Sequence, residues 1–272
     1  MNNDKYLINI DDINLIQKNG VTDYSITNQI ALTTNTSSKC IEKIINDEKC
    51  QTEADFRDYI EIVIKANHVG IIPFVGFCSS SQNIMKQNII ITKFASLKSL
   101  QNAFDTISNG EGIPWWDPVR EFIIIYGIAH SMEFLHSLGI VHEKLTPSNI
   151  LLDENAEPQI TDFQLSLLYS SLDFSISNLV KNKTFYYVDP CVLKNNEKIT
   201  QKSDVYSFAI VVIQILTKNI HIFEKEDDPV ELINEIKNGL KPMIPDTIPE
   251  ELRNLLLSCL NEDQDSRPSF PV

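Results

Sequence analysis

The apolar pattern of this chain changes period once, and that change constrains the fold more than any other feature. Up to about residue 94, apolar residues fall in short runs rich in β-branched side chains, at 6–16, 24–33, 39–45, 71–78 and 88–94. One helical stretch interrupts them at 52–66, with Phe56, Tyr59, Ile60, Val63 and Ile64 along one face. Beyond residue 94 the spacing is helical. Residues 115–138 form a long apolar pattern closed by Gly139, and 201–218, 229–238 and 249–260 follow. A strand-rich first third before a helix-rich remainder predicts an α+β fold of two unequal lobes. No internal repeat or low-complexity linker divides the 272 residues, so one domain spanning 1–272 is expected.

Composition removes several classes of function. The net charge of -14 and sequence pI of about 4.7 disfavour binding to phosphate backbones or anionic lipid, so neither a nucleic-acid nor a membrane partner is expected. The most apolar run, 122–132, is about half the length of a membrane span and is bracketed by Arg120, Glu121 and Glu133, so it reads as a buried helix. Residues 1–5 carry no apolar signal core. The cysteines Cys40, Cys50, Cys78, Cys191 and Cys259 are odd in number and scattered, which suits reduced thiols in the cytoplasm and neither a disulfide frame nor a zinc site.

Chemistry concentrates in a few segments of the helical part. His142-Glu143-Lys144-Leu145-Thr146-Pro147-Ser148-Asn149 is followed by Ile150-Leu151-Leu152-Asp153, by Thr161-Asp162-Phe163-Gln164-Leu165-Ser166, by Lys202-Ser203-Asp204-Val205-Tyr206-Ser207-Phe208 and by Asp265-Ser266-Arg267-Pro268. In order and spacing these segments resemble those of protein kinases, and their details resemble the tyrosine-kinase-like branch. The first is similar to the catalytic loop H-R-D-L-K-P-x-N, the second to its continuation and the third to D-F-G-L-S. The resemblance implies a bilobal protein-kinase fold, with a small lobe at 1–92, a hinge at 93–98 and a large lobe at 99–272. Thr92 falls at the gatekeeper position and Phe94 in the hinge.

The resemblance also shows where the family's chemistry is altered. The family's base is an Asp that takes the proton of the attacking hydroxyl, and Lys144 stands in its place. An ammonium has three donors and no lone pair. Glu143 replaces the family's Arg, Thr146 its phosphate-touching Lys, and Gln164 the Gly of D-F-G. Of the phosphate-loop glycines only Gly20 remains, and Asn19-Gly20 reads equally as a hairpin turn. Lys43 is the best match to the phosphate-gripping Lys and Lys39 the next, with Ile41 where the family has a small Ala. The ion-pair Glu of the first helix falls on Tyr59, flanked by Asp58 and Glu61. Asn149 and Asp162 keep the family's magnesium ligands, although Asn and Asp in tight turns also bond their own backbone.

The structural residues are better kept. His142 reads as a packed core histidine bonding backbone, and Phe163 is a structural residue by the resemblance. Asp204 resembles a buried Asp that accepts catalytic-loop amides. Arg267 resembles an Arg that pairs with the Glu of A-P-E, but this chain has Asp189-Pro190-Cys191, so Arg267 must either be exposed or find another acid, such as Asp189. A phosphate on Thr184, Tyr186 or Tyr187 would meet Glu143 and be repelled. The resemblance therefore implies a catalytically impaired kinase that regulates or scaffolds a signalling protein. A slow active kinase with a rearranged ATP site and a nucleotide-sensing switch are the alternatives, and ATP with magnesium is the cofactor all three bear on.

Overall fold

The structure, a computed structural model, describes residues 3–22, 25–33, 35–45, 52–81, 83–163, 175–195, 198–223 and 228–270. These divide into two compact units that meet in sequence at Ser96 and Leu97, inside the 93–98 segment.

The first unit is an antiparallel sheet of β1 (Ile13–Val21), β2 (Ser25–Leu32), β3 (Asn35–Ile45), β4 (Phe74–Cys78) and β5 (Ile89–Lys93), in the order β1-β2-β3-β5-β4. Strand side chains alternate between faces. β1 is exposed beyond Ile13, while buried clusters lie on both faces of β2–β5. On one, Ile45, Phe77 and Ile90 pack against Phe56, Tyr59 and Ile60 of α1 (Glu53–Lys65). On the other, Ile30, Leu32, Cys40, Cys78, Ile89 and Ile91 are closed over by Ile8, Ile10 and Ile13. Each such side chain contributes about 1.5–3 kcal/mol on burial. α1 starts where the side chain of Thr52 accepts the Asp55 amide, and Glu53, Asp55 and Lys65 sit at the ends the helix dipole favours.

Two expectations for this unit are corrected. Residues 6–16 are not one strand. Asn9 Oδ1 accepts the Asp11 amide at 3.2 Å and caps a 3-10 turn at Ile10–Asp12, so β1 starts only at Ile13. Asn19-Gly20 is not the hairpin turn: Lys18 pairs with Asn28 and Gly20 with Thr27, which leaves Asn19 as the extra residue of a bulge. The bonds that close the hairpin join Thr22 and Ser25, N–H to carbonyl at 2.8 Å and N–H to Oγ1 at 3.0 Å. Close packing requires a glycine at Gly76 instead. A Cβ there would stand 2.5 Å from Tyr6 O and collide with Ile8, so the N-terminal segment lies directly on β4, with the Ile8 amide donating to Phe77 O at 2.9 Å.

The second unit holds α2 (Leu100–Ser108), α3 (Pro118–Ser137), a two-stranded ladder of β6 (Ile150–Leu152) and β7 (Pro158–Ile160), α4 (Ile176–Asn182), α5 (Pro190–Asn195), α6 (Gln201–Thr217), α7 (Pro229–Lys237) and α8 (Glu250–Cys259). α3 begins at the N-cap Asp117 with Pro118 in its first turn, and a capping box of Thr200 and Ser203 opens α6. α6 is apolar all round and enclosed all round, as Ala209, Ile210, Val211, Val212 and Ile213 show by their burial. Its one deeply buried amide, Gln214, accepts from Tyr187 Oη at 3.0 Å and donates to Ile220 O at 3.1 Å. The 122–132 run is not wholly buried: Phe122, Ile123 and Tyr126 are exposed. Among the described residues no helix is long and apolar enough to cross a membrane.

Candidate functional site

In the helical unit the site is assembled by main-chain bonds. The loop leaving α3 reaches His142, whose amide donates to Asp204 Oδ2 at 2.7 Å, while the Glu143 amide donates to Asp204 Oδ1 at 3.0 Å. His136 Nε2 lies 2.8 Å from the same Oδ2. Asp204 is fully buried in the first turn of α6, so a carboxylate fixed by that helix holds the loop by its peptide groups. His142 is buried with it. Burial pushes its imidazole below the usual histidine range, against the opposing pull of Asp204 and Asp162, and its Nδ1 accepts the Lys144 amide at 3.3 Å.

Leu145, Thr146 and Pro147 are buried, and Pro147 opens a single 3-10 turn ending at Asn149. The Asn149 amide donates to Thr146 O at 2.9 Å, and Asn149 Nδ2 donates to Lys144 O at 2.9 Å. β6 starts at the next residue, and Ile150 pairs with Ile160. The Thr161 amide then donates to Asn149 O at 3.0 Å. This ladder brings Asn149 and Asp162 to the same end of β6–β7. Glu143 and Asp162 have φ of 72° and 62°, a left-handed conformation that costs a non-glycine residue about 1–2 kcal/mol and here frames the loop on both sides. Phe163 is buried next to Asp162. Gln164 lies outside the described residues.

A second buried device holds the end of the unit. Arg267 Nη1 donates to Asp189 Oδ2 at 2.6 Å and Nη2 to Oδ1 at 2.9 Å, with both side chains wholly buried. Arg267 also donates to Asn261 O at 2.8 Å and Lys202 O at 3.0 Å, and its guanidinium lies 5.4 Å from the Tyr206 ring centre. Asp189 Oδ1 accepts the Cys191 amide at 3.0 Å, so the same carboxylate starts α5. Cys191, where the family has its Glu, turns its thiol to Glu262 O at 3.1 Å instead. Of the three positions at which a phosphate would meet Glu143, the structure makes two inaccessible in the folded chain, Tyr186 and Tyr187. Both rings are buried, Tyr186 stacked on Phe223 at 5.9 Å and Tyr187 bonded to Gln214.

In the sheet unit, register fixes the relations of the sequence candidates. Ile41 pairs with Thr92 and Lys43 with Ile90, so Ile41, Lys43 and Ile45 lie on the α1 face of the sheet. Thr92 directly faces the residue that replaces the family's small Ala. Tyr59 is buried in that face beside Phe56, Ile60 and Ile45, while Asp58 points outward, exposed. The Phe94 amide donates to Lys39 O at 3.3 Å, and the Lys39 ammonium lies 5.8 Å from the Phe94 ring centre. Lys39 is thereby tied to the end of β5, four residues along β3 from Lys43. Among the described residues a Cβ at Gly20 would meet nothing within 4 Å, so packing against them does not require the glycine. Sequence reasoning passed over Glu42, which lies on the opposite face of β3. It is buried and accepts from Asn28 Nδ2 at 2.8 Å, and burial pushes its carboxyl above the usual range.

The family profile described as protein tyrosine and serine/threonine kinase matches residues 20–272. This chain belongs to the protein kinase family. It is 28% identical over 266 residues to the dual specificity protein kinase pyk3 of Dictyostelium discoideum, covering 97% of this chain and 18% of that protein. It is 30% identical over 242 residues to the cysteine-rich receptor-like protein kinase 34 of Arabidopsis thaliana, covering 82% of this chain and 35% of that one. The chain thus spans a minor part of the length of both relatives. The five-stranded antiparallel sheet and the helical unit are the small and large lobes of the kinase fold.

A kinase domain implies ATP and magnesium, and the two lobes differ in how well they suit that pair. In the large lobe, Asn149 spends its amide hydrogen on Lys144 O, which leaves Oδ1 as the free acceptor of that side chain, and Asp162 shares its end of the ladder. Two oxygen donors suit a hard cation that takes its remaining ligands from phosphate and water. Among the described residues no cluster of three or more His, Cys, Asp or Glu could hold a metal alone. In the small lobe, Ile41 and Tyr59 are the residues that the Lys43 register sets against the family's Ala and carboxylate, the one larger and the other uncharged.

Proposed function

We propose that this kinase domain is a pseudokinase of the tyrosine-kinase-like branch, cytoplasmic, which regulates or scaffolds another signalling protein by binding it. The observation that carries the reading is Lys144. The loop around it keeps its main-chain anchors on Asp204 and its bond to Asn149, yet the side chain at the base position has no lone pair. Losing a general base costs about 10²–10⁴ in rate, against a working range of ~1–100 s⁻¹ for kinases. Tyr59 in place of the ion-pairing carboxylate lowers it further. The run Lys202-Ser203-Asp204-Val205-Tyr206-Ser207-Phe208 supports the branch.

The test is phosphoryl transfer from radiolabelled ATP to a generic acceptor protein, compared with a Lys43→Ala/Asp162→Ala control. The expected result is no incorporation above the control. Turnover near ~1 s⁻¹ that vanishes in the control would reverse the conclusion.

A second reading, a switch that binds nucleotide without transferring phosphate, is favoured by the retained pair Asn149 and Asp162. Asn149 and Asp162 would hold the metal, Lys43 the phosphates, and Thr92 and Phe94 would border the base; the bound nucleotide would supply charge and no transfer. Ligand at 100 times its Kd adds about 2.7 kcal/mol of stability. Melting with millimolar ATP and magnesium separates the two. No shift is expected for the scaffold, and a shift of several degrees lost in Lys43→Ala identifies the switch.

A further inference from the structure

α3 has apolar residues on every side, the composition of an enclosed helix, yet one face of it is bare. Val119, Phe122, Ile123 and Tyr126 are 70%, 55%, 38% and 71% exposed. At 100° per residue they form one stripe along two turns, continued by the exposed His130, whose ring lies 5.9 Å from that of Tyr126. The opposite side, Ile124, Ile128, Met132 and Leu135, is fully buried, so the stripe is not a loose helix turned outward.

The stripe is edged by acids. Asp117 caps the helix just before it and is exposed, and Glu133 follows on the same side. Gly127 lies against the ring of Pro158, which sets the exposed Glu157 beside the helix. Arg120 is the one Lys or Arg in α3, within a chain of net charge -14.

We propose that this face docks a basic amphipathic helix of a partner protein. The partner's apolar side would lie along Phe122 and Tyr126, ridges into grooves, with its Lys and Arg side chains set against Asp117, Glu133 and Glu157. The proposal rests on the reading that the domain works by binding. A covered Phe or Tyr buries about 150–250 Å², so at these exposures the stripe offers on the order of 400 Å². That suits one helix and falls short of the ~800 Å² per partner of a stable dimer. Two copies would also bring like-charged surfaces together, and an acidic rim repels anionic lipid.

The test uses the full chain and a fluorescein-labelled 18-residue peptide of Leu and Lys, patterned with Leu at i, i+3, i+4 and i+7, beside a Leu/Glu peptide of the same pattern. Anisotropy is expected to show saturable binding of the Leu/Lys peptide and at least tenfold weaker binding of the Leu/Glu peptide. Phe122→Ser and Tyr126→Ser are expected to weaken the Leu/Lys complex tenfold or more at unchanged melting temperature, and Glu133→Gln several-fold. Tyr126→Lys, a larger exposed change, repeats the measurement should a serine variant melt early.

Four results would overturn the proposal. One is equal affinity of wild type and stripe variants for the Leu/Lys peptide, and another is equal binding of the two peptides. A wild-type dimer in sedimentation that Tyr126→Ser dissolves points to a second copy, and binding to phosphatidylcholine vesicles points to a membrane. The transfer assay above is independent of all four: transfer activity with docking intact removes the pseudokinase reading alone, and no transfer with stripe-independent binding removes this proposal alone.

Discussion

Removing the carboxylate of Asp189 should destabilise the large lobe by a large, separable amount. Arg267 is wholly buried and its charge is met by two hydrogen bonds of 2.6 and 2.9 Å to Asp189. Bonds to charged groups contribute roughly 1.5–3 kcal/mol each, so the pair carries about 3–6 kcal/mol, in line with the ~3–5 kcal/mol lost when one member of a buried pair is removed. Asp189→Asn keeps an acceptor for the Cys191 amide and for one guanidinium nitrogen, which places it at about 3 kcal/mol. Asp189→Ala loses the cap of α5 as well and moves towards ~5 kcal/mol. Replacing both partners, as Asp189→Leu with Arg267→Met, leaves no uncompensated charge and should cost less than Asp189→Ala alone. Urea unfolding followed by helix circular dichroism at 222 nm measures all three, and ~3 kcal/mol corresponds to roughly 6–12 °C in melting temperature. A loss below ~1 kcal/mol for Asp189→Ala, or a double variant worse than it, would refute the claim that this pair took over from the family's Glu–Arg bridge.

The other predictions concern single contacts. Asp204→Asn replaces an oxygen that accepts main-chain amides with a donor facing them, and should cost roughly 2–3 kcal/mol, read as faster hydrogen exchange of the His142 and Glu143 amides. Gly76→Ala puts a Cβ against Tyr6 O and Ile8, and should cost about 1–3 kcal/mol while exposing the Asn3–Tyr6 turn to limited proteolysis. Glu42 has a folded pKa raised by burial, so its contribution to stability is present below the unfolded value of 4.5 and is lost as pH rises through the folded one. Glu42→Gln keeps the bond from Asn28 and should raise the melting temperature at pH 7 but not at pH 4; equal effects at both would contradict it. A tyrosine kinase with ATP should label neither Tyr186 nor Tyr187 in the folded protein, checked by mass spectrometry against a heat-unfolded sample.

Much of the fold is legible in the sequence because burial on both faces of β2–β5 leaves β-branched runs, and because α1, α6, α7 and α8 carry helical spacing, the first three behind side-chain N-caps. What was missed has local causes. β6 and β7 are three residues each, too short to show a period. α2 is announced by Ser99 and closed by the side chain of Asn102, where a Glu or Gln is the stronger signal. The turn at Asn9 hides inside an apolar alternation, and Asn19-Gly20 has hairpin composition but sits in a bulge. The site was legible in part where a residue acts through charge that must be met: a buried Arg267 needs an acid, and Asp189 was a candidate, with exposure of Arg267 as the alternative that the structure removes. Tyr186 and Tyr187 have the chemistry of phosphate acceptors, but their accessibility is decided by Phe223 and Gln214, far off in sequence. Glu42 left no signal at all, since a carboxylate between Ile41 and Lys43 reads as the exposed side of a strand.

The catalytic loop explains how a kinase can change its reactive residues and keep their setting. Asp204 holds His142 and Glu143 by their amides, Asn149 holds Lys144 by its carbonyl, and the Thr161 amide reaches the carbonyl of Asn149. None of these bonds uses the side chain of residue 143 or 144. Glu143 carries the left-handed φ of its position with a carboxylate in place of the family's guanidinium, and Lys144 fills the base position with an ammonium. These main-chain bonds therefore do not depend on which side chains stand at 143 and 144. Asp204 and Asn149 are different, because their side chains are the anchors. The loop's main-chain frame thus depends on the side chains at 149 and 204, where this chain keeps the family's Asn and Asp, and not on those at 143 and 144, where it departs from the family's Arg and Asp. On the proposed reading, Lys144→Asp alone should restore no more than the roughly 10²–10⁴ in rate that a single base supplies, since Tyr59 and Ile41 remain. Full activity in Lys144→Asp would mean that the small lobe was never impaired.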